Sequence, residues 1–315
     1  MKIVIVGGGA IGRLFGSYLA RAENEVTLLD ISSEVVGAMQ HDGIGVVVNG
    51  EGDPDSVTPV PVKAVSDPQL VTASELVLLM VKSNSTRVAT ESVAHLVNPD
   101  CPLLCVQTGL GNIEAIEHVI AREHIIAGIT FMSGTALGGS KIRYGRSGKT
   151  YIGELDGTIT ERVQKIANVF EASGITTQVV RRILGRLWCK VIVFSAINPV
   201  SSILKVPNGC LTSKMESVTL MKRLLDEGKE VAEAHGVDLV YTDLYELLFD
   251  SCQKSASNLS SMLQDILNEN PSEIDAQNGA ICAYARKYNI DVPTHQTMVE
   301  LVKLLEKWRP GMEQF

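Results

Sequence analysis

Lys2-Ile3-Val4-Ile5-Val6-Gly7-Gly8-Gly9-Ala10-Ile11-Gly12 decides the fold. The run up to Val6 reads as a buried strand, and the glycines follow it with no spacer. This is a G-x-G-x-x-G between a predicted strand and a predicted helix, an arrangement that suits a dinucleotide. Gly7 permits the tight turn, Gly9 lets backbone approach a pyrophosphate, and Gly12 lets helix pack on strand, with Gly8, Ala10 and Ile11 between them. The helix N-terminus then offers N–H groups and a positive dipole end to phosphates. A second strand, Glu25 to Leu29, runs into Asp30, eighteen residues beyond Gly12. An acid there accepts from a ribose hydroxyl.

Continuous apolar runs recur through the first half. Leu76 to Val81 ends at Lys82, Leu103 to Gln107 ends at Thr108-Gly109, and Ile125 to Thr130 is a third. Helical patterns separate them, at Thr86 to Val97 and Ile113 to Arg122. Strands without polar alternation, set between helices, indicate a parallel sheet covered on both faces. Ile44 to Val48 and Thr58 to Val62 read as excursion strands. Lys141 to Leu155 reads as an antiparallel hairpin with Gly145 and Gly148 at its turn.

From Leu184 the texture is helical, with amphipathic stretches at Ser217 to His235, Ile274 to Tyr288 and Thr297 to Trp308. The expected class is α/β: a doubly wound, Rossmann-type parallel sheet over residues 1–180, then an all-α domain over residues 181–315. In such proteins ligands sit at the carboxyl ends of the strands, which places the expected substrate cleft between the two domains.

Composition narrows the function. The chain has 315 residues, a mean hydropathy of +0.15 and a formal net charge of −8. That charge argues against a nucleic-acid or anionic-membrane surface. No apolar run reaches the ~18 residues a membrane span needs. The six cysteines show no metal spacing and read as reduced thiols, so the expected location is cytoplasmic and no metal is expected. The six histidines are scattered and none receives a role.

The candidate chemistry lies in the helical half. Leu187-Trp188-Cys189-Lys190 opens a helix that runs to Asn198-Pro199. Lys190 and Asn198 are eight residues apart, a little over two turns, so they share a face with Phe194 between them. Pro207-Asn208-Gly209 marks a turn. Asn258-Leu259-Ser260-Ser261-Met262-Leu263-Gln264-Asp265 follows, with Glu273-Ile274-Asp275 behind it.

These stretches, with the N-terminal glycine loop, resemble the ketopantoate reductase (2-dehydropantoate 2-reductase) family across almost the whole chain. The S-S-M-L-Q-D and E-I-D pair is the most specific part. The resemblance implies reduction of 2-dehydropantoate to (R)-pantoate with a nicotinamide cofactor, as in pantothenate biosynthesis. It implies that Lys190 is the catalytic lysine, accompanied by Glu273. Asn198, Asn208, Asn258 and Ser261 match substrate-contacting positions, and Lys82 matches the cofactor-side lysine; Phe194 is expected on the substrate side and Thr108 among the cofactor-binding residues. The chemistry is coherent: hydride transfer to a 2-oxo acid makes an alkoxide, which needs a proton donor and charge stabilisation. The partners this implies are a small 2-oxo acid and, as an open option, a second copy in a homodimer.

Three positions depart from the family pattern. The family usually carries Q/H-N-G where this chain has Gln107-Thr108-Gly109. Its ketopantoate enzymes often place Asn one turn after the catalytic Lys, where this chain has Phe194. Many members carry Arg at the end of the second strand, where this chain has Asp30 with no Lys or Arg close behind it. The last departure predicts NADH over NADPH, with NADPH still usable. The first two leave open another branched or aromatic 2-oxo acid as substrate. A dinucleotide-binding sensor without catalysis is a third reading, but it would need neither Lys190 nor Glu273.

Overall fold

β1 (Lys2–Val6) pairs in parallel with β2 (Glu25–Leu29) on one side and β5 (Leu76–Leu79) on the other. Ile3, Val4, Ile5 and Val6 are all buried, because α1 (Ala10–Arg21) and its counterparts cover the sheet and leave no polar face. The computed structural model describes residues 1–48, 57–146 and 148–308. They fall into two compact units, Met1–Gln107 with Asn112–Ile183, and Thr108–Gly111 with Leu184–Phe315.

In the first unit, α2 (Ser33–Asp42) follows β2, capped by the Ser32 hydroxyl accepting from Val35 N–H. β4 (Lys63–Val65) extends the sheet beyond β2. On the other side, β6 (Leu103–Cys105) and β7 (Ile125–Thr130) follow β5, with α3 (Thr86–Val93) and α4 (Asn112–Glu117) as crossovers. β10 (Thr150–Glu154), α5 (Glu161–Ala172) and β11 (Thr177–Val179) complete the unit. The order is β11-β10-β7-β6-β5-β1-β2-β4. Strand order reverses between β1 and β5, and ligands of doubly wound sheets bind at such a switch point.

Three expectations change here. Lys141 to Leu155 is not a hairpin. β9 (Lys141–Arg146) joins a second, three-stranded sheet between β3 (Gly45–Val48) and β8 (Ser133–Ala136), whereas β10 pairs antiparallel with β7. The main sheet is therefore mixed. Thr58 to Val62 contributes only a bridge from Val60 to Ile44, and the strand begins at Lys63. Pro59 and Pro61 have no N–H to offer a ladder. The helix expected over Ile113 to Arg122 ends at Glu117.

The second unit is built around α6 (Ile183–Leu204), most of whose side chains are buried. It is the one helix among the described residues apolar and long enough to cross a membrane. Its burial inside the fold marks it as a core helix. α7 (Met215–Ala234), α8 (Leu244–Lys254), α9 (Ser261–Leu267), α10 (Ala280–Tyr288) and α11 (Pro293–Lys307) complete the unit. Asp275–Gly279, just before α10, is a π-helical turn.

Candidate active site

The glycine loop sits at the switch point. Gly7 has φ +111, and a Cβ there would lie 2.9 Å from the Met80 backbone just beyond β5. A Cβ on Gly12 would lie 1.9 Å from the Gly7 carbonyl oxygen, so only glycine lets α1 pack this closely. Gly9 is different: a Cβ there would meet nothing within 4 Å. It is the N-cap of α1 and offers no side-chain cap to the first-turn N–H groups. A loop of this kind fits a pyrophosphate; within it Gly8 is buried, and a Cβ there would lie 3.0 Å from Asp30 Oδ2.

Asp30, at the end of β2, accepts from Gly8 N–H at 2.6 Å and Ser32 N–H at 2.9 Å. These bonds fix the carboxylate beside the loop and leave lone pairs for ribose hydroxyls. The sequence shows no cation after Asp30, but the fold supplies one from α1. Arg13 interacts electrostatically with Asp30, is 4% exposed, and donates from Nη1 to Gly139 O at 2.6 Å. Burial lowers its pKa against the pull of Asp30. Lys82 is exposed and immediately precedes the short turn Ser83–Ser85, two residues beyond Met80. Gln107 is latched within the first unit by Nε2 donating to Val81 O and Thr86 Oγ1.

In the second unit, α6 carries Lys190, Phe194 and Asn198. Lys190 is 7% exposed, and its Nζ donates to Thr108 Oγ1 at 3.1 Å. The ammonium lies 5.6 Å from the centre of the Phe194 ring, one turn along the same face. Burial pushes the Lys190 pKa down to about 8, opposed by the charge of half-buried Glu273. A lysine whose pKa is lowered by burial gives up its proton more readily than one in water. Thr108, one of the departures from the family pattern, accepts a bond from the lysine itself.

The amide positions form a second group. Asn208 N–H donates to Asn258 O at 3.0 Å, and Asn208 Nδ2 donates to Ser255 Oγ at 2.9 Å. Asn208 Oδ1 is buried with no protein partner, an acceptor short of a donor. Asn198 Nδ2 donates to Gln277 Oε1 at 2.9 Å. Ser261 is exposed on the first turn of α9, while its neighbour Ser260 caps that helix by accepting from Leu263 N–H.

The family model for ketopantoate reductase PanE/ApbA matches residues 3–157, and that for its C-terminal domain matches residues 182–306. The chain belongs to the ketopantoate reductase family. A 2-dehydropantoate 2-reductase of Halobacterium salinarum is 32% identical over 98% of this chain and 99% of its own length. One from Pyrococcus horikoshii is 31% identical over 99% of each. Among solved structures, the ternary complex of D-mandelate dehydrogenase with NADH and anilino(oxo)acetate is 25% identical, with a TM-score of 0.91 over 98% of this chain and 99% of that one. A ketopantoate reductase from Ralstonia eutropha is 28% identical, with a TM-score of 0.86 over 98% and 99%.

This ketopantoate reductase fold also buries polar residues that sequence reading passed over. Gln277, Asn278 and His295 are 1%, 0% and 0% exposed. Each lies on a different stretch of chain from its partner, so no local spacing announces the cluster. One local signal was present: Pro199 inside a helix leaves a carbonyl four residues earlier in need of a donor.

Proposed function

We propose that this member of the family reduces 2-dehydropantoate to (R)-pantoate with a nicotinamide cofactor. The observation that carries this reading is the buried Lys190 ammonium, held by Thr108 and faced by the charge of Glu273. The bound cofactor supplies a hydride to the substrate's carbonyl carbon. Lys190 donates the proton that the carbonyl oxygen then requires, and its charge stabilises that oxygen beforehand. Glu273 keeps the lysine protonated in its buried setting. The unpartnered Asn208 Oδ1 suits a substrate hydroxyl as donor, and such a hydroxyl is what separates ketopantoate from simpler 2-oxo acids. Asn198, Asn258 and Ser261 complete the substrate-side set.

The preferred cofactor is NADH. Asp30 accepts from the adenosine ribose and repels a 2′-phosphate. Arg13 softens that repulsion, but its guanidinium is engaged with Gly139 O, so NADPH remains the poorer cofactor. A cytoplasmic location fits the six free thiols.

Phe194 favours a second reading, an aromatic or branched 2-oxo acid reduced by the same machinery. Steady-state rates with ketopantoate, 2-oxo-3,3-dimethylbutanoate and phenylglyoxylate, each with NADH and NADPH, separate the two. A higher kcat/KM for phenylglyoxylate than for ketopantoate replaces the first reading with the second. No turnover of any of them leaves the sensor.

A further inference from the structure

Pro199 stands inside α6. A proline has no N–H, so the Ser195 carbonyl four residues earlier loses its helical donor. Asn278 replaces it, with Nδ2 donating to Ser195 O at 2.8 Å. The other Nδ2 proton goes to His295 Nδ1 at 3.0 Å. The imidazole is neutral, since burial pushes its pKa down to about 4, and its Nε2–H donates to Leu224 O at 2.9 Å. One residue before Asn278, Gln277 accepts from Asn198. One residue earlier still, Ala276 O accepts from Leu110 N–H at 2.8 Å, in the short segment that carries Thr108.

Three consecutive residues of one turn therefore hold α6 at two points and the Thr108 segment at a third. The turn is widened to the π pattern, with Gly279 N–H donating to Ile274 O five residues back at 2.9 Å. Such turns are rare and gather at functional sites. Glu273 stands at its head, its carbonyl accepting from Ala276 and Gln277 N–H, both at 3.1 Å. Apolar side chains would fill this space without desolvating two amides, and Asn278 Oδ1 is buried with no protein partner; the bonds from Asn278 Nδ2 and to Gln277 Oε1 nonetheless fix one register.

We propose that the Asp275–Gly279 turn is a positioning device: Gln277 and Asn278 set α6, and with it the Lys190 ammonium, against Thr108 and Glu273. Gln277 and Asn278 are positioning residues and do not touch the reacting atoms. The inference rests on Lys190 being the proton donor, so the test includes that residue.

Three variants probe the turn. Gln277→Met removes the acceptor for Asn198 at similar volume. Gln277→Glu keeps an acceptor there. Pro199→Ala returns an N–H to the helix, which competes with Asn278 for Ser195 O and strengthens the helix. Gln277→Met and Pro199→Ala should each lower kcat by at least ~10-fold, the scale on which a small misplacement is felt. Both should raise the solvent deuterium isotope effect on single-turnover NADH oxidation, with NADH Kd by fluorescence titration unchanged. Gln277→Glu should restore kcat to within about threefold of wild type. A purely structural turn would instead give Pro199→Ala a higher Tm with wild-type kcat and isotope effect, which overturns the proposal. Equal loss in Gln277→Met and Gln277→Glu also overturns it. If Lys190→Ala keeps wild-type kcat, the proton-donor reading itself fails. If Lys190→Ala loses activity and the turn variants do not, only the positioning inference fails.

Discussion

Lys190 Nζ donates to Thr108 Oγ1 at 3.1 Å, although the two residues are 82 positions apart in the chain. An ammonium that is 7% exposed needs such an acceptor, because a buried cation without partners gives up its proton. Thr108 accepts one of the lysine's protons and so orients the head group.

The rate should depend on this charge state. The lysine must be protonated to act, so kcat should fall as pH rises through about 8, the value to which burial lowers Lys190. Glu273 raises that pKa, so Glu273→Gln should move the alkaline limb of the kcat profile to lower pH. A limb that stays in place or moves upward assigns it to another group.

Lys190→Ala should lower kcat by at least ~10², the usual scale for a positioned proton donor. Calorimetric NADH affinity should change little, since the lysine belongs to the second unit. Glu273→Gln should be the milder variant, because it supports the lysine and does not deliver the proton. The reverse order of severity would exchange their roles.

Asp30→Ala should narrow the preference for NADH over NADPH, mostly through the KM for NADH. Arg13→Gln removes the cation beside Asp30 and should widen it. Ratios of kcat/KM for the two cofactors decide both, and a wild-type ratio favouring NADPH refutes the reading of Asp30.

Phe194→Asn should raise kcat/KM for ketopantoate relative to 2-oxo-3,3-dimethylbutanoate, since an amide can pair with the extra hydroxyl. The ring also rests 5.6 Å from the Lys190 ammonium, so part of the effect should appear in kcat. A lowered Tm with an unchanged substrate ratio would make Phe194 a packing residue.

His295 gives stability a pH dependence. Its folded pKa of about 4 lies below that of an unfolded histidine, so the unfolded chain binds the proton first. Unfolding free energy should be undiminished by this group above about pH 6.5 and should decline towards pH 4, by up to about 3 kcal/mol. His295→Gln should flatten that part of the slope in urea melts at pH 7 and pH 5. An unchanged slope would mean other groups govern acid sensitivity.

The strand, glycine loop and helix at the N-terminus were legible because their determinants are local: an apolar run, three glycines at fixed spacing, and an acid after the next strand. Phe194 on the lysine's face was equally legible, since helical periodicity alone puts it there. The stretch from Lys141 to Leu155 was misread for the opposite reason. Two strands separated by glycines look alike whether they pair with each other or with distant partners, and here they enter different sheets. The cation beside Asp30 was invisible because it comes from the preceding helix. The π-turn was also hidden. Its bonds join Asn198 to Gln277 and Ser195 to Asn278 across 79 and 83 residues, and no spacing rule reaches that far.

The cysteines have a practical consequence. Five of the six are buried, and burial pushes the thiol pKa of Cys101, Cys105, Cys189, Cys252 and Cys282 upward, to about 12 for Cys105 and Cys252 and about 11 for Cys282. Thiols of that kind are slow to alkylate at neutral pH. Cys210 alone is exposed, two residues beyond Asn208 in the Asn208–Ser213 turn. The wild-type chain thus carries one addressable attachment point for a maleimide dye, beside an amide assigned to the substrate, and ligand arrival can be followed by fluorescence without engineering a cysteine-free background.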